Sequence, residues 1–168
     1  AIPDYAATED LAFSFSFSAI TFSDEDTGDT LSYTATLAGG SGLPSWLSFD
    51  ANTRTFSGTP INDGVGTVSI EVTADDGNGG TVSDTFDIVV ANTNDDPTLD
   101  QVIANQSATE DLAFSFTFNA STFDDVDVGD TLSYTASLSD GSALPSWLSF
   151  NSNSRTFSGT PANDDVGT

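Results

Sequence analysis

Residues 11–18 read LAFSFSFS, with Leu11, Phe13, Phe15 and Phe17 alternating with Ala12, Ser14, Ser16 and Ser18. A strict period of two puts the apolar side chains on one face and the small polar ones on the other, the pattern of a half-buried β-strand. The same reading extends outward. Leu31, Tyr33, Ala35 and Leu37 give a second strand. Leu47 and Phe49, a turn at Asp50–Thr53, and Thr55–Ser57 give a hairpin. Val68, Ile70, Val72 and Ala74 give another strand, residues 75–80 (DDGNGG) a turn, and Val82 through Val90 a last strand. No run carries a helical period of 3.6. Short strands separated by turn signals predict an all-β fold, an antiparallel Greek-key β-sandwich.

The chain then repeats itself. Glu9–Thr67 aligns without a gap on Glu110–Thr168 at an offset of 101 residues, and 44 of the 59 positions are identical. A period of that length is a whole domain, so the sandwiches stand in tandem. The first repeat is expected over residues 1–98 and the second over 99–168. The second has no counterpart of Val68–Val90, because Thr168 aligns with Thr67. Exposed core phenylalanines and open strand edges should follow. One half is therefore expected to depart from a complete sandwich: opened, strand-swapped with another molecule into an oligomer, or completed by residues 68–91.

Charge narrows the partners. The chain has 26 acidic residues against two cations, Arg54 and Arg155, no histidine and a formal charge of −24. Such a surface repels nucleic-acid phosphate and anionic membranes. Without His, Cys or Lys there is no ordinary nucleophile or general base, and no acid pair stands out for glycoside hydrolysis. The expectation is a non-enzyme. No signal peptide and no apolar run long enough to span a bilayer occurs in these residues. Acidity, absence of cysteine and abundant Thr, Ser, Asp and Gly point to a secreted or surface-displayed bacterial protein; adaptation to high salt is the alternative. Each arginine lies at the same turn of its repeat and is expected to pair with a carboxylate nearby.

The acids fall in turns and in clusters: Glu9-Asp10; Asp24-Glu25-Asp26 with Asp29; Asn62-Asp63; Asp75-Asp76; Asn94-Asp95-Asp96; and, in the second repeat, Asp124-Asp125 with Asp127 and Asp130. Strand ends of a sandwich gather at two poles, and carboxylates gathered there repel one another unless a hard cation neutralises them. Ca²⁺ takes six to eight oxygen ligands at flexible geometry. Zinc and copper prefer the absent His and Cys. Asp and Asn also serve turns without any ion. Asp24-x-Asp26-x-Gly28-Asp29 matches part of an EF-hand loop but lacks its closing Glu and its helices.

The segments LPSWLSF (43–49), RTFSGTP (54–60) and VTADDG (72–77) carry a resemblance to the bacterial dystroglycan-type cadherin-like repeat, an immunoglobulin-like repeat, over nearly the whole chain. Cadherins bind Ca²⁺ between successive domains. The resemblance implies Glu9 as the first ligand, Asp63 at the acidic turn, and Asn94, Asp95 and Asp96 in a linker followed by Pro97. It implies Asp125 and Asp127 as the Asp-x-Asp of the next repeat. Asp24, Asp26 and Asp76 complete the candidate metal ligands. Asn62, Gly64 and Asn92 replace acids of the cadherin pattern, which implies fewer or weaker sites.

Two functions follow. One is a Ca²⁺-binding spacer or adhesion repeat whose linker the ion stiffens, with calcium, neighbouring repeats and homophilic contacts as partners. The other is a carbohydrate-binding module with polysaccharide as partner. The latter needs exposed rings, from Tyr5, Tyr33 and Tyr134, or from Trp46 and Trp147, which are more simply core anchors.

Overall fold

The computed structural model describes residues 1–26 and 28–167 and divides into two units, Ala1–Asn94 and Asp95–Thr168. The first is a two-sheet sandwich. One sheet is built from β2 (Phe13–Ser16), β4 (Leu47–Asp50) and β5 (Thr55–Gly58), in the order β2-β5-β4. Registry across it sets Phe15 and Phe49 on either side of Phe56, and Ser14 and Ser48 on either side of Ser57. The alternation read from residues 11–18 thereby becomes a phenylalanine row inside and a serine row outside. The rings lie 5.1 Å (Phe15–Phe56) and 4.5 Å (Phe49–Phe56) apart. Each such cross-strand aromatic pair adds about 0.5–1.5 kcal/mol beyond burial. On the outer face Ser48 Oγ donates to the Ser57 carbonyl at 2.8 Å.

The turn between β4 and β5 is closed by Asp50, whose Oδ1 accepts the Asn52 amide at 2.9 Å, and Arg54 follows with φ 56°. Gly58 is required next to Trp46: a Cβ there would sit 1.7 Å from the Trp46 carbonyl oxygen.

The second sheet covers the phenylalanine row. It contains β1 (Tyr5–Thr8), β3 (Ser32–Leu37), β6 (Gly66–Asp75) and β7 (Thr81–Ala91), in the order β1-β7-β6-β3. The long β6–β7 hairpin occupies the middle, so residues 66–91 complete the first unit. Its inward residues Ile70, Val72, Ala74, Phe86, Ile88 and Val90 are all at most 2% exposed. Phe86 meets Phe15 and Phe56 edge-on at 5.5 and 5.6 Å.

Two details differ from the sequence pattern. β1 pairs with β7 in parallel, within an otherwise antiparallel sandwich. Leu11 is 61% exposed, because the chain changes sheets just before β2 through a turn with Asp10 at φ 60° and the Leu11 amide donating to the Thr8 carbonyl.

The second unit reproduces only part of this plan. β9 (Phe114–Thr117), β11 (Leu148–Asn151) and β12 (Thr156–Gly159) form the counterpart of the phenylalanine sheet, in the order β11-β12-β9. Phe116 and Phe150 flank Phe157 in the same register. A short antiparallel pair joins β8 (Thr98–Leu99) to β10 (Phe123–Asp124). Phe118 is buried among Phe123, Tyr134 and Phe150. Residues 106–109 and 133–138, the counterparts of β1 and β3, belong to no strand. Phe157 is half-buried, whereas Phe56 is fully buried.

That contrast sets a stability difference. Phe56→Ala should cost about 3–5 kcal/mol, the range for a large ring lost from a closed core. Phe157→Ala should cost less than half as much. Urea unfolding followed at Trp46 in a Trp147→Phe background, and the converse, measures each. Equal losses would contradict the described packing.

Candidate metal centre

In the first unit Asp24, Asp26 and Asp29 lie in the loop before β3, with carboxylate oxygens within 4.8 Å of one another and all three residues exposed. Asp24 Oδ1 accepts the Asp26 amide at 2.8 Å, which curls the loop so that both side chains face one side. Asp29 Oδ2 accepts from Asn78 Nδ2 at 2.9 Å, tying the loop to the β6–β7 turn.

The second unit repeats the trio at the matching positions. Asp125, Asp127 and Asp130 also bring carboxylate oxygens within 4.8 Å. Here Asp127 is only 4% exposed. Its Oδ2 accepts the Asp95 amide at 2.7 Å, its own amide donates to Asp125 Oδ1 at 3.0 Å, and its carbonyl accepts the Asp130 amide at 3.2 Å. The linker residue Asp95 thus folds down on Asp127 and shields it, a cover that Asp26 lacks.

Glu9 directly follows β1 and is 1% exposed. The Glu9 amide donates to the Ala91 carbonyl at 2.9 Å, Glu9 Oε2 accepts the Thr93 amide at 3.1 Å, and Thr93 Oγ1 donates to the Glu9 carbonyl at 3.1 Å. Its counterpart Glu110 is half-buried.

The remaining candidates lie elsewhere. Asp63 is exposed on a single 3-10 turn, Asn62–Gly64, and Asn94 and Asp96 are exposed in the linker. Asp76 is committed to its own turn: Oδ1 accepts the amides of Asn78 at 2.7 Å and Gly80 at 2.9 Å. Those bonds hold its carboxyl below the ordinary value of 3.8. Asp76 still lines, with Asp24, a cavity of about 220 Å³ beside the loop.

Asp29 and Asp130, third members of the two trios, stand outside the candidate ligand set, although their recurrence five residues after Asp24 and Asp125 was the available signal. Thr93 carries no such signal, since only the fold brings it to Glu9. The expected carboxylate partners of the arginines are not found: among the described residues neither forms an ion pair, and both Nε atoms are buried without a hydrogen bond.

An oxygen-only donor set, one buried carboxylate with two more beside it, fits a hard cation such as Ca²⁺. Three carboxylates at this spacing repel strongly once one of them is removed from water, and a divalent ion relieves that repulsion.

The family model described as "Putative Ig domain" matches residues 1–91 and 96–168. No protein of curated function matches this sequence. Among solved structures, mouse cadherin-23 EC22-24 is 17% identical over 96% of this chain and 52% of its own, with a TM-score of 0.47. An endo-fucoidan hydrolase of glycoside hydrolase family 107 is 22% identical over 99% of this chain and 29% of its own, with a TM-score of 0.43. Domains 3-5 of Drosophila OTK are 8% identical over 98% of this chain and 55% of their own, with a TM-score of 0.44. No helix here is long and apolar enough to cross a membrane.

The Asp76 bonds predict a pH effect. Its folded-state pKa is depressed, so its contribution is present above 3.8 and is lost as the pH falls through the lower folded value. Amide protection at Asn78 and Gly80, read by NMR, should fall on acidification through that range, and at neutral pH in Asp76→Ala. Unchanged protection in the variant would contradict this role.

Proposed function

As this chain belongs to the family described as Putative Ig domain, with both repeats matched, we propose that it is a non-catalytic, Ca²⁺-binding spacer or adhesion module of a secreted or surface-displayed bacterial protein. The observation that carries the reading is Asp127, a buried carboxylate with Asp125 and Asp130 oxygens within 4.8 Å. The first repeat presents the same trio at Asp24, Asp26 and Asp29. Asp125, Asp127 and Asp130 would hold the better site, and the exposed first-repeat trio the weaker one. Ca²⁺ would supply charge neutralisation and oxygen coordination rather than any reaction chemistry.

The linker is bound up with both units' acids. Thr93 holds Glu9 in the first, and Asp95 covers Asp127 in the second. Ion binding at Asp127 would therefore fix Asp95 and shorten the free part of the linker. A chain of such repeats becomes a stiffer spacer at millimolar Ca²⁺ and a looser one without it. Neighbouring repeats and homophilic contacts are the partners this reading implies.

The carbohydrate-binding alternative requires free aromatic faces. Tyr5 stacks on Phe15 at 3.7 Å, Tyr33 meets Phe17 at 5.5 Å, and Trp46 meets Phe13 at 6.4 Å. These three rings of the first unit are occupied by its core, which favours the Ca²⁺ reading there; Tyr134 and Trp147 of the second unit line cavities.

A thermal melt in EDTA, then in Ca²⁺, with Mg²⁺ as control, tests the proposal. At free Ca²⁺ a hundredfold above Kd, linkage gives about 2.7 kcal/mol, which is a Tm rise on the order of 10 °C for a domain of this size. Asp127→Asn should weaken binding about tenfold or more. No Ca²⁺-specific rise would reduce the trios to solvated turns.

A further inference from the structure

We propose that Asn78-Gly79, in the turn between β6 and β7, is a self-modification site: Asn78 loses its side-chain amide through a succinimide, and the carboxylate that replaces it unties the loop that carries Asp24, Asp26 and Asp29. Asn78-Gly79 is the one Asn-Gly pair in the sequence, and every other asparagine is followed by a residue with a side chain. The attacking atom is the backbone nitrogen of the following residue. A Cβ beside that nitrogen hinders its approach and narrows the backbone angles open to it; glycine has neither restriction. Gly79 stands at φ 105° and Gly77, on the other side of Asn78, at φ 77°. A Cβ built at either would meet nothing within 4 Å, and Asn78 itself is exposed.

The step balances without a cofactor or a redox partner. The Gly79 amide gives its proton to a solvent base and its nitrogen bonds to Asn78 Cγ. The Cγ–Nδ2 bond breaks, and ammonia leaves with a proton returned from solvent. Water then opens the ring. Addition at Cγ restores the ordinary backbone with an aspartate at position 78. Addition at the Asn78 main-chain carbonyl carbon gives an isoaspartate, with the backbone routed through Cβ and Cγ. Asp76-Gly77 and Asp140-Gly141 share the glycine but lack the leaving group. Hydrogen bonds led by the Asn78 amide and the Ser142 hydroxyl hold those two carboxyls below the ordinary 3.8, so both are ionised near neutral pH.

The amide that is lost has a structural role. Asn78 Nδ2 donates to Asp29 Oδ2 at 2.9 Å, the bond that ties the acidic loop to this turn. An aspartate at position 78 has no N–H to give there, and it sets a further carboxylate against Asp29, beside Asp24 and Asp26. An isoaspartate also lengthens the backbone inside a turn that Asp76 closes through the amides of Asn78 and Gly80. Either product releases the loop. The same bond restrains the reaction, because attack on Cγ requires the Asn78 side chain to leave Asp29. Time spent untied therefore sets the extent of conversion.

The test ages the full chain in a mildly alkaline buffer with EDTA and follows it by peptide mass spectrometry and by labelling with an isoaspartyl methyltransferase. No ion takes part, so the result is independent of the Ca²⁺ proposal. Asn78 should convert about tenfold or more faster than Asn52 or Asn92 in the same sample, the advantage of an unhindered intramolecular nucleophile. Asp29→Ala should speed the conversion severalfold. The aged chain and Asn78→Asp should share NMR shift changes at the amides of Asp24, Asp26 and Asp29. Conversion of Asn78 no faster than that of Asn52 or Asn92, an Asp29→Ala rate equal to that of the parent chain, or unchanged loop amides in both the aged chain and Asn78→Asp would each overturn the inference.

Discussion

The β6–β7 hairpin is the element on which the rest of the molecule depends. Ten backbone registry pairs join its two strands, and each strand pairs again with an outer neighbour. Its inner face supplies six almost wholly buried residues to the core. At about 1.5–3 kcal/mol for each large apolar side chain removed from water, that face is comparable to the whole net stability of a small domain. Where the hairpin is present, the phenylalanine row is closed. The described residues of the second unit include no counterpart of the hairpin, and there the same sheet forms in the same register while residues 106–109 and 133–138 belong to no strand and its phenylalanines line cavities. Two nearly identical sequences thus differ because local pairing alone builds the three-stranded sheet, while the four-stranded sheet needs its middle.

The acidic side chains obey a second constraint. Twenty-six acids against two arginines repel, and a compact state must place them in water or beside an ion. Most are placed in water. Glu9 and Asp127 are not, and in both cases a residue of the 92–96 linker covers the carboxylate. The same segment that joins the repeats also removes these charges from solvent. A cation at such a position neutralises charge and orders the linker together, which is the physical basis of the spacer function proposed above.

Much of this was legible in the residues. Alternation at 11–18, 31–37, 68–74 and 82–90 located strands, because a half-buried strand must alternate. The turn at Asp50–Thr53 declared itself through residues that close turns on their own side chains. The 101-residue repeat announced two copies of one family of repeat. β1 was not legible: Tyr5-Ala6-Ala7-Thr8 shows no alternation of large apolar residues and is held by parallel pairing with Ile88–Ala91. Leu11 continued the alternation on paper, but a left-handed Asp10 turned the chain first. At the acidic loops composition located the trios, while separating a candidate ligand such as Asp127 from a turn-closing residue such as Asp76 required knowing which amides each carboxylate already serves. The arginines were misread for the opposite reason: being the only cations among many acids made a partner seem assured, yet both guanidinium groups pack with Nε buried and unpaired.

Hydrogen exchange compared between the two copies of one strand is the most direct measurement of the hairpin's role. Those amides of Ser32–Thr36 that face β6 should exchange only with opening of the first unit, while the matching amides of Ser133–Ser137, a segment identical at four of five positions, should exchange near the rate of an unprotected chain. Equal, strong protection of both segments would contradict the view that β6–β7 pairing, rather than the local sequence, makes that strand.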